Sequence, residues 1–187
     1  MNSRLGFYSL SKLAAITASQ LLLFYILGAN SQTDVWVLSR IVPIFILSIF
    51  SGILQLSWEP IIYSSDNKNY FKLFFGQQIV IAFFFFIAIL LMKDIFWDIF
   101  NFGNQSEPEF SHLFNDLIII STIIFLFSSF TLPLIIYLRS TNNILYTEKT
   151  EFIIELLSLI PIIFFLEEYG IYFFASIYLF KKILIFL

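Results

Sequence analysis

The chain has no cysteine, a single histidine and few charged residues among its 187 residues. The absence of cysteine excludes disulfide bonds, iron–sulfur clusters and thiol catalysis. His112 cannot hold a metal ion by itself, and the acidic stretch around it indicates a solvated position. No Gly-rich phosphate loop, metal-ligand motif or Ser/His/Asp set is present in the sequence. We therefore predict no enzymatic activity, no metal and no cofactor.

Apolar residues are what the sequence has in excess. Hydrophobic residues make up 59% of the chain and charged residues 12%, and the mean hydropathy is +0.91. A soluble core of this length would leave too much apolar surface facing water, so we predict an integral membrane protein in contact with the lipid bilayer. The charges lie almost entirely between the apolar runs. The net charge of -3 therefore bears on orientation and does not indicate a nucleic-acid partner.

Six apolar segments predict an all-α fold, a polytopic transmembrane helix bundle. The first segment contains a lysine and no convincing cleavage site follows it, which favours a retained helix over a signal peptide. The third segment is predicted to face lipid, and the stretch after it to form a short amphipathic helix in the interface. The chain is predicted to be a single lobe, incomplete at its C-terminus, with helices at residues 7–27, 34–63, 71–92, 113–138, 151–166 and 171–187.

The second segment carries the strongest functional indication. It continues from a polar turn as an apolar run of about 27 residues, which as a helix is ~40 Å long and exceeds the ~30 Å hydrocarbon core of a bilayer. This run contains Arg40 and a proline, Pro43, predicted to kink the helix, and it ends at Pro60. We predict that Asp34 caps this helix and that Glu151 caps the fifth, because helix starts favour acidic residues.

Polar residues form a stripe on each of the first two helices. Lys12 lies on the stripe of the first helix, and Arg40, Ser51 and Gln55 lie on that of the second. Arg or Lys at mid-bilayer costs ~2.5–3.5 kcal/mol on insertion scales, so such a residue marks a bundle interior or a substrate path. In the competing interpretation Arg40 snorkels outward or pairs with Asp34, and Lys12 reaches the headgroups.

Basic residues are distributed unequally between the two sides of the predicted bundle. With a cytoplasmic N-terminus, the outer loops hold Lys93 alone among the basic residues and are otherwise acidic. This bias follows the positive-inside rule and predicts that orientation. For Lys181 and Lys182 in the sixth helix, snorkelling to the interface and facing the protein interior both stay open. The inner side receives Arg4, Lys68, Lys72, Arg139 and Lys149, with Lys12 nearby.

Three short motifs carry a family resemblance. They are residues 28–34, GANSQTD, with Pro43 nine residues after Asp34, residues 55–60, QLSWEP, and the turn at residues 168–171, EYGI. The first is similar to the first loop and second helix of lipid II flippases, and the second to the Trp-x-Pro helix exits of polysaccharide-unit flippases. The chain thus resembles the lipid-linked oligosaccharide flippases of the multidrug/oligosaccharidyl-lipid/polysaccharide exporter superfamily over nearly its whole length.

Two departures from this family narrow what the resemblance implies. Lipid II flippases carry arginines on the first helix where this chain reads Ala18-Ser19-Gln20, which favours an O-antigen or capsule repeat unit on undecaprenyl pyrophosphate over lipid II. Members of the superfamily have about twelve to fourteen helices in two lobes, so this chain resembles an N-terminal half. It is then a truncated or partial chain, or a second lobe or second copy completes it.

The resemblance implies transport by alternating access in the bacterial cytoplasmic membrane. Two lobes would rock around a cationic cavity that shelters the glycan and the pyrophosphate while the prenyl tail stays in lipid. Arg40, assisted by Lys12, would neutralise pyrophosphate oxygens through charge-assisted hydrogen bonds. Gln55 and Ser51 would contact sugar hydroxyls.

Three alternatives to a flippase remain. A drug/cation antiporter of the same superfamily would use a cavity carboxylate such as Asp116 or Glu155. A membrane glycan polymerase or ligase would be expected to have a large external loop with paired catalytic groups, and residues 93–112 are few for that. A non-transporting membrane subunit, or an inactive truncated half, is the third.

Overall fold

The structure is a computed structural model that describes residues 3–64, 68–100, 108–141 and 143–186. Within these ranges the chain forms helices and no strand, so the prediction of an all-α helical bundle is confirmed. The helices are α1 (Ser3–Leu27), α2 (Ser31–Ser57), α3 (Glu59–Ser64), α4 (Lys68–Leu91), α5 (Lys93–Phe100), α6 (Pro108–Ser140) and α7 (Ile144–Phe186).

Four of these helices are long and apolar enough to cross a membrane, as expected of a membrane protein. They are α1, α2, α4 and α6. In α6, 50% of the most apolar stretch is buried inside the bundle, against 17–22% in the other three. The α6 helix contacts α2, α4 and α7, whereas α1 packs mainly on α7. The central helix of the bundle is therefore α6.

The α7 helix folds back on itself at Gly170. This residue has φ 68° and ψ -157°, a backbone conformation that interrupts the helix and is essentially restricted to glycine. Glu155 and Lys181 stand 26 residues apart yet meet at 2.7 Å, whereas a straight helix would separate them by about 39 Å. α7 is thus a hairpin, with a first arm at residues 144–169 and a second arm at residues 171–186.

The α2 helix begins earlier than predicted because Asn30, and not Asp34, caps it. The Thr33 amide donates to Asn30 Oδ1 at 3.0 Å, and the Asn30 amide donates to Thr33 Oγ1 at 3.0 Å. This reciprocal capping box satisfies two backbone donors at the helix start. Asp34 lies exposed in the first turn, where its charge favours the helix dipole without capping the helix.

The predicted helix over residues 34–63 is two helices in the structure. α2 ends at Ser57, and α3 follows after Trp58. Pro60 is the second residue of α3, a position where its missing amide costs no intrahelical hydrogen bond. Pro43, in contrast, stays inside α2, which continues through it although the Ser39 carbonyl loses its usual helical donor.

The prediction that Glu151 caps a fifth helix is also wrong. The first arm of α7 begins seven residues earlier, at Ile144, so Glu151 lies inside the helix. Its carboxylate accepts a hydrogen bond from Lys12 Nζ at 2.8 Å. Because Lys12 of α1 pairs with it, Glu151 is accommodated within the helix, where the sequence had indicated a helix start.

The short helix α5 is amphipathic, as predicted. Trp97 packs on Phe114 of α6, with ring centroids 5.2 Å apart. The charged residues Asp94 and Asp98 are exposed on the other side. One face of α5 (Lys93–Phe100) therefore lies against the bundle and the other faces outward.

Candidate functional site

Arg40 lies on the face of α2 that meets the second arm of α7. Its guanidinium carbon is 5.0 Å from the ring centroid of Trp36 and 4.5 Å from that of Tyr178. Trp36 is fully buried, and its ring meets that of Tyr178 edge to face at 6.2 Å. Cation–π contacts of this kind contribute up to ~2 kcal/mol when they are desolvated. The two rings thus hold the guanidinium in place without neutralising its charge.

A cavity of about 120 Å³ lies beside Arg40, between α2, α6 and the second arm of α7. Two cationic side chains line it, Arg40 and Lys182. Three residues that carry hydroxyl groups, Ser121, Ser128 and Tyr178, also line it, and none of the described Asp or Glu residues does. The apolar part of the wall consists of Pro43, Ile44, Leu47, Ile124 and Phe125.

The two cations of this cavity differ in their partners from Lys12 and Lys181. Among the described residues, neither Arg40 nor Lys182 has a carboxylate within ion-pair distance, whereas Lys12 and Lys181 are both paired. An unpaired charge inside an apolar bundle is costly, so it requires water or an anion next to it. Arg40 lies about 14 Å along α2 from Ser31, roughly half the thickness of a hydrocarbon core. The cavity is therefore an anion-attracting site within the apolar part of the bundle.

Behind the cavity, Lys181 and Glu155 form a buried ion pair. Their side chains are 2% and 3% exposed, and Lys181 Nζ donates to Glu155 Oε2 at 2.7 Å. The same ammonium nitrogen lies 4.3 Å from the ring centroid of Tyr178. The structure thus separates two adjacent lysines: Lys181 faces the protein interior and is neutralised, while Lys182 faces the cavity.

Lys12, the predicted assistant of Arg40, is placed elsewhere. Its ammonium group lies 2.7 Å from Glu148 Oε2 and 2.8 Å from Glu151 Oε2. Ser9 Oγ donates to the same Glu148 oxygen at 3.1 Å. The polar stripe of α1 therefore meets the first arm of α7, and Lys12 is not part of the Arg40 cavity.

The other predicted substrate contacts lie further along α2. Ser51 is half-buried, about 16 Å along the helix from Arg40, and does not line the cavity. The side chain of Gln55 is outside the described part of the structure. Of the predicted substrate-binding residues whose side chains are described, Arg40 alone lies at this cavity. Pro43, predicted as a structural residue, lies in its wall.

The residues that sequence reasoning missed are on α6 and on the second arm of α7. Ser121 and Ser128 are seven residues apart and so share one face of α6, which is a pattern visible in the sequence. Ser121 also approaches Ser39 of α2, with hydroxyl oxygens 3.4 Å apart. Nothing in the sequence distinguishes Lys182 from Lys181, because only the fold of the hairpin shows which lysine meets Glu155.

The opposite kind of charge gathers at the Gly170 end of the bundle. A crevice of about 500 Å³ there is lined by acidic side chains together with His112, Tyr172 and the Gly170 turn. The Tyr172 hydroxyl donates a hydrogen bond to Asp116 Oδ2 at 2.9 Å. Among the described residues, no group of three or more His, Asp or Glu side chains is placed to hold a metal ion. The acidic side chains of this crevice are Glu109, Glu167 and Glu168.

In the described bundle, the cavity beside Arg40 is the arrangement that is best suited to binding an anionic group. Two cations and three hydroxyl groups can donate hydrogen bonds to an anionic group such as a phosphate. Binding of an anion is a chemistry that these groups support. No protein-family model, no curated protein and no solved structure matches the chain.

Proposed function

We propose that this chain is one lobe of a transporter that flips oligosaccharide repeat units, of O-antigen or capsule type, linked to undecaprenyl pyrophosphate. It would act by alternating access in the bacterial cytoplasmic membrane. The observation that carries the proposal is a pair of cations, Arg40 and Lys182, that line one cavity of an apolar bundle and have no carboxylate partner among the described residues. A polyprenyl pyrophosphate combines an apolar tail with a dianionic or more highly charged headgroup, which suits this combination of surfaces.

In this proposal Arg40 and Lys182 share the binding of pyrophosphate oxygens. Charge-assisted hydrogen bonds of this type each contribute roughly 1.5–3 kcal/mol. Lys182 takes the assisting role first assigned to Lys12, because Lys12 is already neutralised by two carboxylates. Ser51 and Gln55, further along α2, keep their proposed contacts with sugar hydroxyls beyond the cavity.

The size of the cavity argues that this lobe does not enclose the substrate alone. At about 30 Å³ for each water of liquid volume, 120 Å³ corresponds to roughly four waters, enough for a phosphate group but not for several sugars. The glycan must therefore occupy space outside the described lobe. A second lobe or a second copy of the chain would supply the other wall of that space.

The proposed orientation places the N-terminus in the cytoplasm. Acidic groups collect around the Gly170 turn, where Glu109, Glu167 and Glu168 line a crevice. Exposed basic residues, such as Arg4 and Lys149, lie toward the opposite end. This distribution follows the positive-inside rule if the Gly170 end is outside.

The contacts of Glu155 and Asp116 favour a drug/cation antiporter less than a flippase. Such a transporter needs a free carboxylate in its cavity, and the two predicted candidates are engaged elsewhere. Glu155 forms an ion pair with Lys181, and Asp116 accepts a hydrogen bond from the Tyr172 hydroxyl. Neither residue lines the cavity beside Arg40. A cavity whose charged lining is cationic attracts anions and repels cationic drugs.

The proposal is tested by replacing Arg40 with alanine in the cell that produces the chain. We expect Arg40→Ala to lower surface glycan roughly 10- to 100-fold at normal protein level, because a desolvated charge-assisted contact is lost. Lipid-linked repeat units should accumulate on the cytoplasmic leaflet. The matched control is Arg4→Ala, which removes an exposed arginine at the N-terminal end of α1. Unchanged surface glycan in Arg40→Ala would exclude the role, and unchanged glycan after deletion of the whole chain would exclude the flippase.

A further inference from the structure

The ring of Tyr178 contacts two cations that come from different helices. Arg40 of α2 approaches it to 4.5 Å, and Lys181 of the second arm of α7 approaches it to 4.3 Å. Among the described residues, Lys181 has a carboxylate partner, Glu155 on the first arm at 2.7 Å, and Arg40 has none. A continuous chain of contacts therefore runs from a buried carboxylate, through one ammonium group and one ring, to the free guanidinium at the cavity.

We propose that Lys181 is a positioning residue that keeps Arg40 available to an anion. By neutralising Glu155, it prevents that buried carboxylate from capturing the Arg40 guanidinium in an internal salt bridge. This inference rests on the proposed function only in that the anion is taken to bind at Arg40.

The competition follows from the chemistry of the three groups. A buried carboxylate without a counter-charge is strongly unfavourable and is stabilised by any cation that can reach it. Arginine is the better partner of the two cations, because its planar guanidinium can bind a carboxylate through two parallel hydrogen bonds. Lys182 is less well placed, since adjacent residues of a helix point about 100° apart. Arg40 is therefore the group that Glu155 would attract if Lys181 lost its charge.

The test measures how freely Arg40 reacts in the full chain purified in detergent. Phenylglyoxal modifies accessible guanidinium groups, and mass spectrometry of the peptide that contains residue 40 gives the extent of labelling. We expect Lys181→Met to lower labelling of Arg40 roughly 10- to 100-fold, as for a group newly engaged in a charge-assisted bond. The double variant Lys181→Met/Glu155→Gln should return to the wild-type extent, because it removes the competing carboxylate as well.

A matched control and a second variant keep the result interpretable. Lys149→Met removes an exposed lysine of the same helix and should leave labelling unchanged. If Lys181→Met does not fold, Lys181→Gln removes the charge while preserving a hydrogen-bond donor to Glu155, and the same loss of labelling is expected. Unchanged labelling in the neutral Lys181 variant, or no recovery in the double variant, would overturn the proposal. A merely structural role of Lys181 predicts no such recovery.

A second measurement separates this inference from the proposed function. Inorganic pyrophosphate, added to the wild-type chain before phenylglyoxal, should protect Arg40 and not Arg4. If pyrophosphate gives no protection, the anion site of the proposed function is refuted. The labelling of Arg40 in the Lys181 variants is measured without any anion, so it decides the positioning role of Lys181 by itself.

Discussion

Substituting alanine for Gly170 should weaken the hairpin of α7 through the backbone alone. At φ 68° and ψ -157° the residue occupies a region that side chains with a Cβ atom rarely adopt, at a cost of roughly 1–3 kcal/mol. A Cβ atom built at this position meets no other heavy atom within 4 Å, so no steric clash adds to that cost. We therefore expect Gly170→Ala to lower the free energy of unfolding in detergent by about 1–3 kcal/mol, measured by circular dichroism during thermal unfolding.

A helical glycine provides the matched control. Gly76 lies exposed within α4, and a Cβ atom there also has open space around it. Gly76→Ala should raise stability by roughly 0.5–1 kcal/mol, because alanine is the better helix former. The opposite signs of the two substitutions are what the backbone argument requires. If Gly170→Ala stabilised the chain as Gly76→Ala does, the reversal of α7 would not depend on a glycine conformation.

Two further stability predictions concern the contacts of α1 and the start of α2. Lys12→Met should destabilise the chain by ~1–3 kcal/mol in the same unfolding assay, because it removes two partly buried ion pairs and leaves Glu148 and Glu151 next to each other without a cation. Asn30→Ala should cost ~0.5–2 kcal/mol, because the hydrogen bond from the Thr33 amide to Asn30 Oδ1 is lost.

Neighbouring substitutions serve as controls for these two predictions. Lys149→Met changes an exposed lysine on the same arm as the two carboxylates, and Ser31→Ala changes an exposed residue beside the cap. Both should alter stability by less than ~0.5 kcal/mol. Equal effects of Lys12→Met and Lys149→Met would contradict the pairing of α1 with α7. Equal effects of Asn30→Ala and Ser31→Ala would contradict the capping box.

The all-α class could be predicted from composition and apolar runs. Some of the helix ends could not be predicted in this way. Asp34 was a reasonable cap by its charge, but a cap depends on side-chain reach, and Asn30 with Thr33 provides it. The start of the first arm at Ile144 was missed because the stretch before Glu151 is polar and indicated a loop, whereas Glu148, Glu151 and Glu155 all lie inside the helix. Those carboxylates are tolerated in the helix because lysines from other segments meet them.

At the candidate site, Arg40 could be predicted from the sequence, whereas Lys182 could not. Arg40 stands out within a single apolar segment, so one helix is enough to identify it. Its companion Lys182 requires knowledge of how the hairpin closes, since the contact between Glu155 and Lys181 joins residues 26 positions apart. Lys12 was assigned to the same site because a helical wheel shows which residues share a face but not which helix that face meets. Its partners, Glu148 and Glu151, lie 136 and 139 positions further along the chain.

The two kinds of lysine pairing have different consequences for how the chain enters a membrane during synthesis. Glu155 and Lys181 belong to one hairpin, so their charges can cancel before the hairpin meets any other helix. Insertion scales assign ~2.5–3.5 kcal/mol to each charged side chain at the membrane centre, and a pair that forms locally avoids much of that cost. Lys12 has no such local partner, because Glu148 and Glu151 belong to the first arm of α7, which is synthesised after helices α2 to α6. Its charge therefore stays without these carboxylates until the first arm of α7 has been made.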